Sequence, residues 1–469
     1  MQAAEPGVLD VQARRGVMTV LFVGVFMAAL DSAVIAPAVP ALKETFEVGN
    51  SQIGMLTIIF SIFTLMSTTL MASLGDRYGR RPVFLANILG FGLGSLLIAL
   101  APNYWWLLVG RAVQGFSSGG VTPIASAMIG DAFPPEERGK ALGLFGATFG
   151  MAFLLGPFVA ALILVFLSWH WIFLLNIPVA VLVFWMGLSR LPAKQRVENV
   201  APLDWGGIIL VTLVLTGLVL GINRVLDEAL GLLLWPWLLL VAGGGLVGLI
   251  AVERQAVMPV VPLNLFAERQ LALTYTLCAG SGFGMGSVLF IATVAVEGVG
   301  APADRAGLLL IPLVLASTAG SVIFGQLLNR LGARLVMLIG FGTLSIGSAL
   351  LALTGMGPGL WIFMPASMLI GLGVGIVVGG TLRTIVLNRV APEQRGTAQG
   401  LVNVGISVGN LLVVAVLGAL ADAWGGGMQG LMVAYLASAL MMAGMFVLSL
   451  GLEREGEVQR EREGEVQRV

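Results

Sequence analysis

Long uncharged stretches fenced by charged residues dominate this chain, and their lengths predict helices. Between Arg15 and Lys43 only Asp31 interrupts an apolar run. Residues 48–75, 82–101 and 104–130 follow as three more predicted helices, the last with Arg111 inside it. From 141 to 189 there is no Asp, Glu, Lys or Arg, which is room for two spans hinged near Ser168-Trp169-His170-Trp171. Single helices are predicted at 205–223, 229–252, 270–296 and 306–329. Residues 335–382 form a second charge-free double span, hinged at Gly357-Pro358-Gly359, and 396–421 and 423–452 complete fourteen. Each run reaches the ~20 residues that a helix needs to cross the hydrocarbon core of a bilayer.

The fences repeat. Leu74-Gly75-Asp76-Arg77-Tyr78-Gly79-Arg80-Arg81 returns 253 residues later as Leu327-Leu328-Asn329-Arg330-Leu331-Gly332-Ala333-Arg334. Pro135-Glu136-Glu137-Arg138-Gly139 returns 257 residues on as Pro392-Glu393-Gln394-Arg395-Gly396. Two related halves are the expected source of such a pattern in a membrane protein, and transport is its leading reading. Six spans with short loops occupy about 190 residues. The larger offset leaves room for two more helices, predicted at roughly 203–252. The expected organisation is a six-helix half (1–192), a linker with two inserted helices (193–256), a second six-helix half (257–452) and a charged tail (453–469). Pro192, Pro202 and the polar run Lys194–Asn199 mark the hinge before the inserted pair.

Composition sharpens this into an all-α membrane protein. Hydrophobic residues make up 58% of the chain and charged residues 11%, too few charges to keep a soluble protein of this length dispersed. The apolar runs are unbroken rather than alternating, which fits a helical membrane protein better than a barrel. The first run is too long for a cleavable signal peptide and reads as a retained anchor. Cys278 is the only cysteine and His170 the only histidine, so neither an intrachain disulfide nor a His-based metal site is expected. No phosphate-binding loop, nucleophile–base set or metal-ligand cluster is evident, which argues against an enzyme. No cofactor and no nucleic-acid partner are expected.

Charge also orients the chain. With the N-terminus inside, twenty Lys or Arg lie on cytoplasmic segments, three outside (Lys43, Arg224, Arg305) and two within helices (Arg111, Arg383). The positive-inside rule then places both termini in the cytoplasm of a cell-membrane protein. The tail repeats itself, Glu453–Arg460 returning as Glu461–Arg468, and its mixed charges read as a disordered segment or a partner site.

The loop SLGDRYGRR resembles the signature between helices 2 and 3 of the major facilitator superfamily, and Val109–Gly115 (VGRAVQG) resembles its helix 4 signature. Trp169–Pro178 (WHWIFLLNIP), the DAFPPEERGKALG loop and the extra helix pair are similar to the fourteen-helix drug:proton antiporter branch. Two departures stand out: Ala72 replaces a usual Gly, and Gly156-Pro157 is followed by Ala160-Ala161 in place of two glycines. The resemblance implies alternating access between two halves, driven by a proton gradient. The implied function is export of amphipathic or cationic small molecules by a monomer. The alternatives are an exporter of one lipid or metabolite on the same scaffold, or a receptor or scaffold that moves nothing.

Site candidates follow from cost and depth. An acid inside a membrane helix costs at least a few kcal/mol unless paired, protonated or wet, so Asp31 is the candidate proton-coupling carboxylate. Counted from the outer helix ends, Asp31 and Arg111 both lie ~10–14 Å below the surface, so Arg111 is its candidate partner. A static ion pair is the plainer alternative. Gln114 shares a face with Arg111 and could hold it, touch substrate or simply join helices. Asp76, Arg77, Gly79, Arg80 and Arg81 are either topology-fixing charges or, by the family resemblance, a conformational latch with Asp131 as partner to one arginine. Gly156-Pro157 is a candidate bend controlling leak, or an ordinary kink. Phe26, Met27, Met285, Met368, Tyr275, Phe283 and Phe290 fall on helices that would line the cavity, where Phe and Met suit varied apolar ligands. Glu297 could attract a cation at the outer mouth or sit in a solvated loop. Arg383 is expected near the cytoplasmic surface, where it can snorkel.

Overall fold

The computed structural model describes residues 10–48, 50–192, 264–301, 306–356, 359–425 and 427–453, with isolated stretches between 206 and 252. Every regular element among the described residues is helical. Asp10 caps the first helix, α1 (Val11–Phe46), by accepting the Ala13 N–H at 2.7 Å. Helix α2 (Asn50–Tyr78) ends where Gly79 turns at φ 98°, and α3 (Arg80–Ala99) starts at once. Helix α4 (Tyr104–Ala132) is capped by Asn103, whose side chain accepts the Trp106 N–H at 3.1 Å. Helix α5 (Pro135–Phe166) opens with proline and two acids in its first turn, a favourable pairing of fixed φ and helix dipole. The short α6 (His170–Leu174) runs into α7 (Asn176–Arg190), so the first double span breaks where its aromatic cluster predicts.

The second copy repeats these devices. After α8 (Asn264–Ala267), α9 (Arg269–Ser287) passes through one 3-10 turn into α10 (Ile291–Glu297). Helix α11 (Ile311–Ala352) is two helices joined at Gly332, whose φ of 76° is close to that of the turn at Gly79. Only glycine adopts such angles without a steric penalty, so both copies of the loop use it to turn sharply between helices. Then come α12 (Gly359–Val378), α13 (Thr381–Arg389), α14 (Arg395–Ala423) and α15 (Gly427–Ser449). Eight helical segments among the described residues are long and apolar enough to cross a membrane. Most of the predicted inserted pair, the polar run Lys194–Asn199 and the tail beyond Glu453 lie outside the described residues.

Two compact units can be distinguished. The first comprises Met1–Pro134, Met151–Asn264 and Val390–Val404; the second comprises Pro135–Gly150, Leu265–Arg389 and Gly405–Val469. The start of α5 therefore packs with the second unit, and the start of α14 with the first.

Small residues set the packing of the first unit. A Cβ on Gly94 of α3 would lie 2.6 Å from the Gln114 nitrogen, and one on Gly115 of α4 would lie 2.4 Å from the Phe60 carbonyl oxygen. Helices α3 and α2 thus touch the α4 backbone at the same level, as small residues permit in membrane bundles. That level is where the buried polar residues of the first unit gather.

Candidate functional site: a buried carboxylate and two helix-end clusters

Asp31, on α1, is fully enclosed in the first unit. Its Oδ2 accepts from Arg111 Nη1 at 2.9 Å. Its Oδ1 accepts from Gln114 Nε2 at 2.8 Å and from Asn176 Nδ2 at 2.9 Å. Asp31 is 1% exposed, Arg111 2% and Gln114 0%. The three residues singled out from sequence are therefore brought together.

Arg111 has further support. Its Nη1 donates to Gln114 Oε1 at 2.7 Å, its Nε to the Leu56 carbonyl at 3.4 Å, and its guanidinium stacks 4.2 Å from the Phe60 ring centroid. Gln114 thus uses its oxygen on the arginine and its nitrogen on the acid. Two members escaped sequence reasoning, Ser95 of α3 and Asn176 of α7. Ser95 Oγ accepts from Gln114 Nε2 at 2.9 Å and from Asn176 Nδ2 at 3.1 Å. The signal that could have found Asn176 is its place as a lone amide in a charge-free span, inside the WHWIFLLNIP segment.

Among the described residues, every hydrogen-bond partner of Asp31 donates to it, an arrangement that suits an ionised carboxylate. Taking such a charge from water is costly, and the cost is offset only when both oxygens are hydrogen-bonded and a countercharge is close. Both conditions are met here.

A second polar cluster surrounds the 76–81 loop, also within the first unit. Asp76 caps the start of α14: its Oδ1 accepts the Gly396 N–H at 3.0 Å, and its Oδ2 accepts the Thr397 N–H at 2.7 Å and the Thr397 hydroxyl at 3.1 Å. Arg80 donates to Asp76 Oδ1 through Nη2 at 2.8 Å, to the Pro392 carbonyl at 2.6 Å, and pairs with Asp131. Asp131 also receives Arg395 Nη1 at 3.0 Å, which reaches the Gly130 carbonyl at 2.9 Å. Arg81 donates to the Leu188 carbonyl and Arg77 is buried.

The corresponding positions of the second unit also meet, but through neutral groups and different hydrogen bonds. Asn329, 253 residues after Asp76, donates to the Glu136 carbonyl at the start of α5. Arg138, the counterpart of Arg395, donates to Asn388 Oδ1 at 2.9 Å, where the first unit offers Asp131. Ser321 Oγ donates to the Gly143 carbonyl at 2.7 Å and ties α11 to α5.

The remaining candidates are dispersed. In the first unit Phe26 stacks on Phe22 with centroids 6.2 Å apart, and Met27 is buried. A Cβ on Gly156 would lie 2.5 Å from the Ala33 Cβ, so this glycine lets α5 approach α1; the Pro157 side chain lies outside the described residues. In the second unit Tyr275 and Phe283 are buried, Met285 and Phe290 half-buried, and Met368 and Glu297 exposed. Arg383 differs from expectation: it is 6% exposed rather than snorkelling, because α13 packs against α9 and α11. His170 stacks on Trp169 with centroids 3.9 Å apart.

A sequence model of the Major Facilitator Superfamily matches residues 21–297 and 271–468. The chain belongs to that superfamily. It is therefore a multi-pass membrane protein of a transporter family. Among relatives of this superfamily member, the uncharacterized MFS-type transporter YfiU of Bacillus subtilis (strain 168) is 32% identical over 410 residues, covering 84% of this chain and 77% of YfiU. Multidrug resistance protein 3 of the same organism is 30% identical over 395 residues, covering 81% of this chain and 74% of that protein. Among solved structures, the human organic anion transporter MFSD10 (TETRAN) superposes with a TM-score of 0.72 at 16% identity, over 93% of this chain and 99% of that one. The last similarity establishes the fold alone.

Proposed function

We propose that this superfamily member is a proton-coupled exporter of amphipathic or cationic small molecules, with Asp31 as the coupling carboxylate. The observation that supports it is the buried Asp31–Arg111–Gln114–Asn176 network: an acid sealed inside a helix bundle has no need to exist in a scaffold. The multidrug relative supports the substrate class. Asp31 as a carboxylate holds Arg111. Once protonated, it no longer does, and the helices carrying them are free to repack. A cationic ligand competes with the proton for the same charge, which gives exchange. The Asp76 cluster acts as the latch that favours one orientation of the halves. On this reading the chain has fourteen spans in a six-plus-two-plus-six order, cytoplasmic termini and a monomeric working unit, and draws only on the proton gradient.

The test uses purified protein in liposomes loaded with a pH dye, a proton gradient, and a panel of lipophilic cations and lipids. Substrate-dependent proton release that is lost, by at least tenfold, in Asp31→Asn is the expected outcome. Proton release that persists in the variant removes Asp31 from the mechanism. Response to lipids alone replaces the substrate class, and silence from folded protein leaves the non-transporting alternative.

A further inference from the structure

The two carboxylate oxygens of Asp31 are not equivalent. Gln114 Nε2 and Asn176 Nδ2 each donate to the same pair of acceptors, Asp31 Oδ1 and Ser95 Oγ, at 2.8 to 3.1 Å. The four atoms close a ring in which nitrogens and oxygens alternate, and both protons of each amide are used. Oδ1 is therefore filled by two donors. Among the described residues, Oδ2 carries only the Arg111 contact.

We infer that Asn176 is a positioning residue for proton coupling: with Gln114 it saturates Oδ1, directs the incoming proton to Oδ2, and sets how acidic the medium must be for Asp31 to take it up. The inference rests on the coupling role proposed above. The proton bonds to Oδ2, the Arg111 contact there is given up, and the amide pair keeps Oδ1 fixed throughout. Because an amide N–H can only donate, Asn176 favours the charged carboxylate.

The groups facing Asp31 from each neighbouring helix are few. Helix α4 offers Arg111 and Gln114, α3 offers Ser95, α7 offers Asn176, and α5 brings Gly156 against the adjoining Ala33. Helix α2 acts on Arg111 through the Leu56 carbonyl and the Phe60 ring. Among these, Arg111 is the only charged group, so loss of one donor to Oδ1 is not masked by a second titrating partner.

The experiment titrates full-length protein by infrared absorption of the protonated carboxyl group, assigned by its loss in Asp31→Asn. Asn176→Ala and the volume-conserving Asn176→Leu each raise the midpoint by about one pH unit, about tenfold in proton affinity, the effect of one hydrogen bond to a charged group. The midpoint of proton-driven transport moves in the same direction. Ser95→Ala, which reaches Asp31 only through the amides, moves it less. Melting temperatures establish that each variant is folded. An unchanged midpoint in both folded Asn176 variants overturns the inference while leaving Asp31 as the coupling site. A wild-type spectrum with no Asp31 band that titrates removes both readings.

Discussion

The two copies of the loop-and-helix-end cluster share a skeleton and differ in charge. Each turns on a positive-φ glycine, Gly79 or Gly332, and each sends an arginine, Arg395 or Arg138, to a residue at the end of a neighbouring helix. In the first unit that residue is Asp131 and the loop begins with Asp76; in the second they are Asn388 and Asn329. Arg80, which ties Asp76 to Asp131, has Ala333 as its counterpart. The two copies share the glycine turn and the arginine, while the acidic partners stand in the first unit only. A charged cap on a helix N-terminus gains from the dipole and from an arginine, whereas an amide bonded to an arginine gains the hydrogen bond without the charge pairing.

Arg80→Ala breaks this contrast most severely. It leaves Asp76, 7% exposed at its side chain, without its arginine, and the expected loss is about 3 kcal/mol, read as a drop in melting temperature of the purified protein. The matching substitution cannot be made in the second unit, where Ala333 already stands. Next in size is Asp76→Asn. Both carboxylate oxygens accept N–H groups of α14, so an amide turns one acceptor into a donor facing a donor. A cost of about 1–2 kcal/mol follows, roughly a tenfold shift in the inward–outward balance if the latch reading holds. Labelling of a cysteine introduced at the outer mouth measures that shift against a quiet background, since Cys278 is the sole native cysteine and is buried. Unchanged labelling would reduce the cluster to a topology signal. Smallest is Asn388→Asp, which gives Arg138 a charged partner and makes the second cluster resemble the first. A gain of about 0.5 kcal/mol is expected, appearing as a slightly higher melting temperature that declines with added salt.

Charge standing against an apolar background is what makes a site legible in this sequence. Asp31 and Arg111 announce themselves because little else ionisable lies within the spans, and their similar depth, on helices that the family resemblance places around one cavity, makes them candidate partners. Asp131 was legible as an arginine partner from its position at a helix end. Asn176 and Ser95 were not, because neutral polar residues are common in membrane helices and carry no energetic flag until a neighbour is known. The family resemblance implies that Asp76 caps or salt-bridges a neighbouring helix end, and it does, but which end is not legible, since its partners Gly396 and Thr397 lie 320 and 321 residues away. The burial of Arg383 is hidden from the sequence for a related reason. Depth along a helix says how near the surface a residue lies, but neighbouring helices decide whether its side chain reaches water.

Phe60 gives the site a property that a plain ion pair lacks. Its ring lies 4.2 Å from the Arg111 guanidinium, which also keeps Gln114 Oε1 and the Leu56 carbonyl. When Asp31 is neutralised, the arginine does not become a bare charge searching for a lipid headgroup; it already occupies a resting place made of π electrons and oxygen dipoles. When a proton at Oδ2 neutralises the acid and displaces the Arg111 contact there, the cation keeps its other partners and stays in a known position.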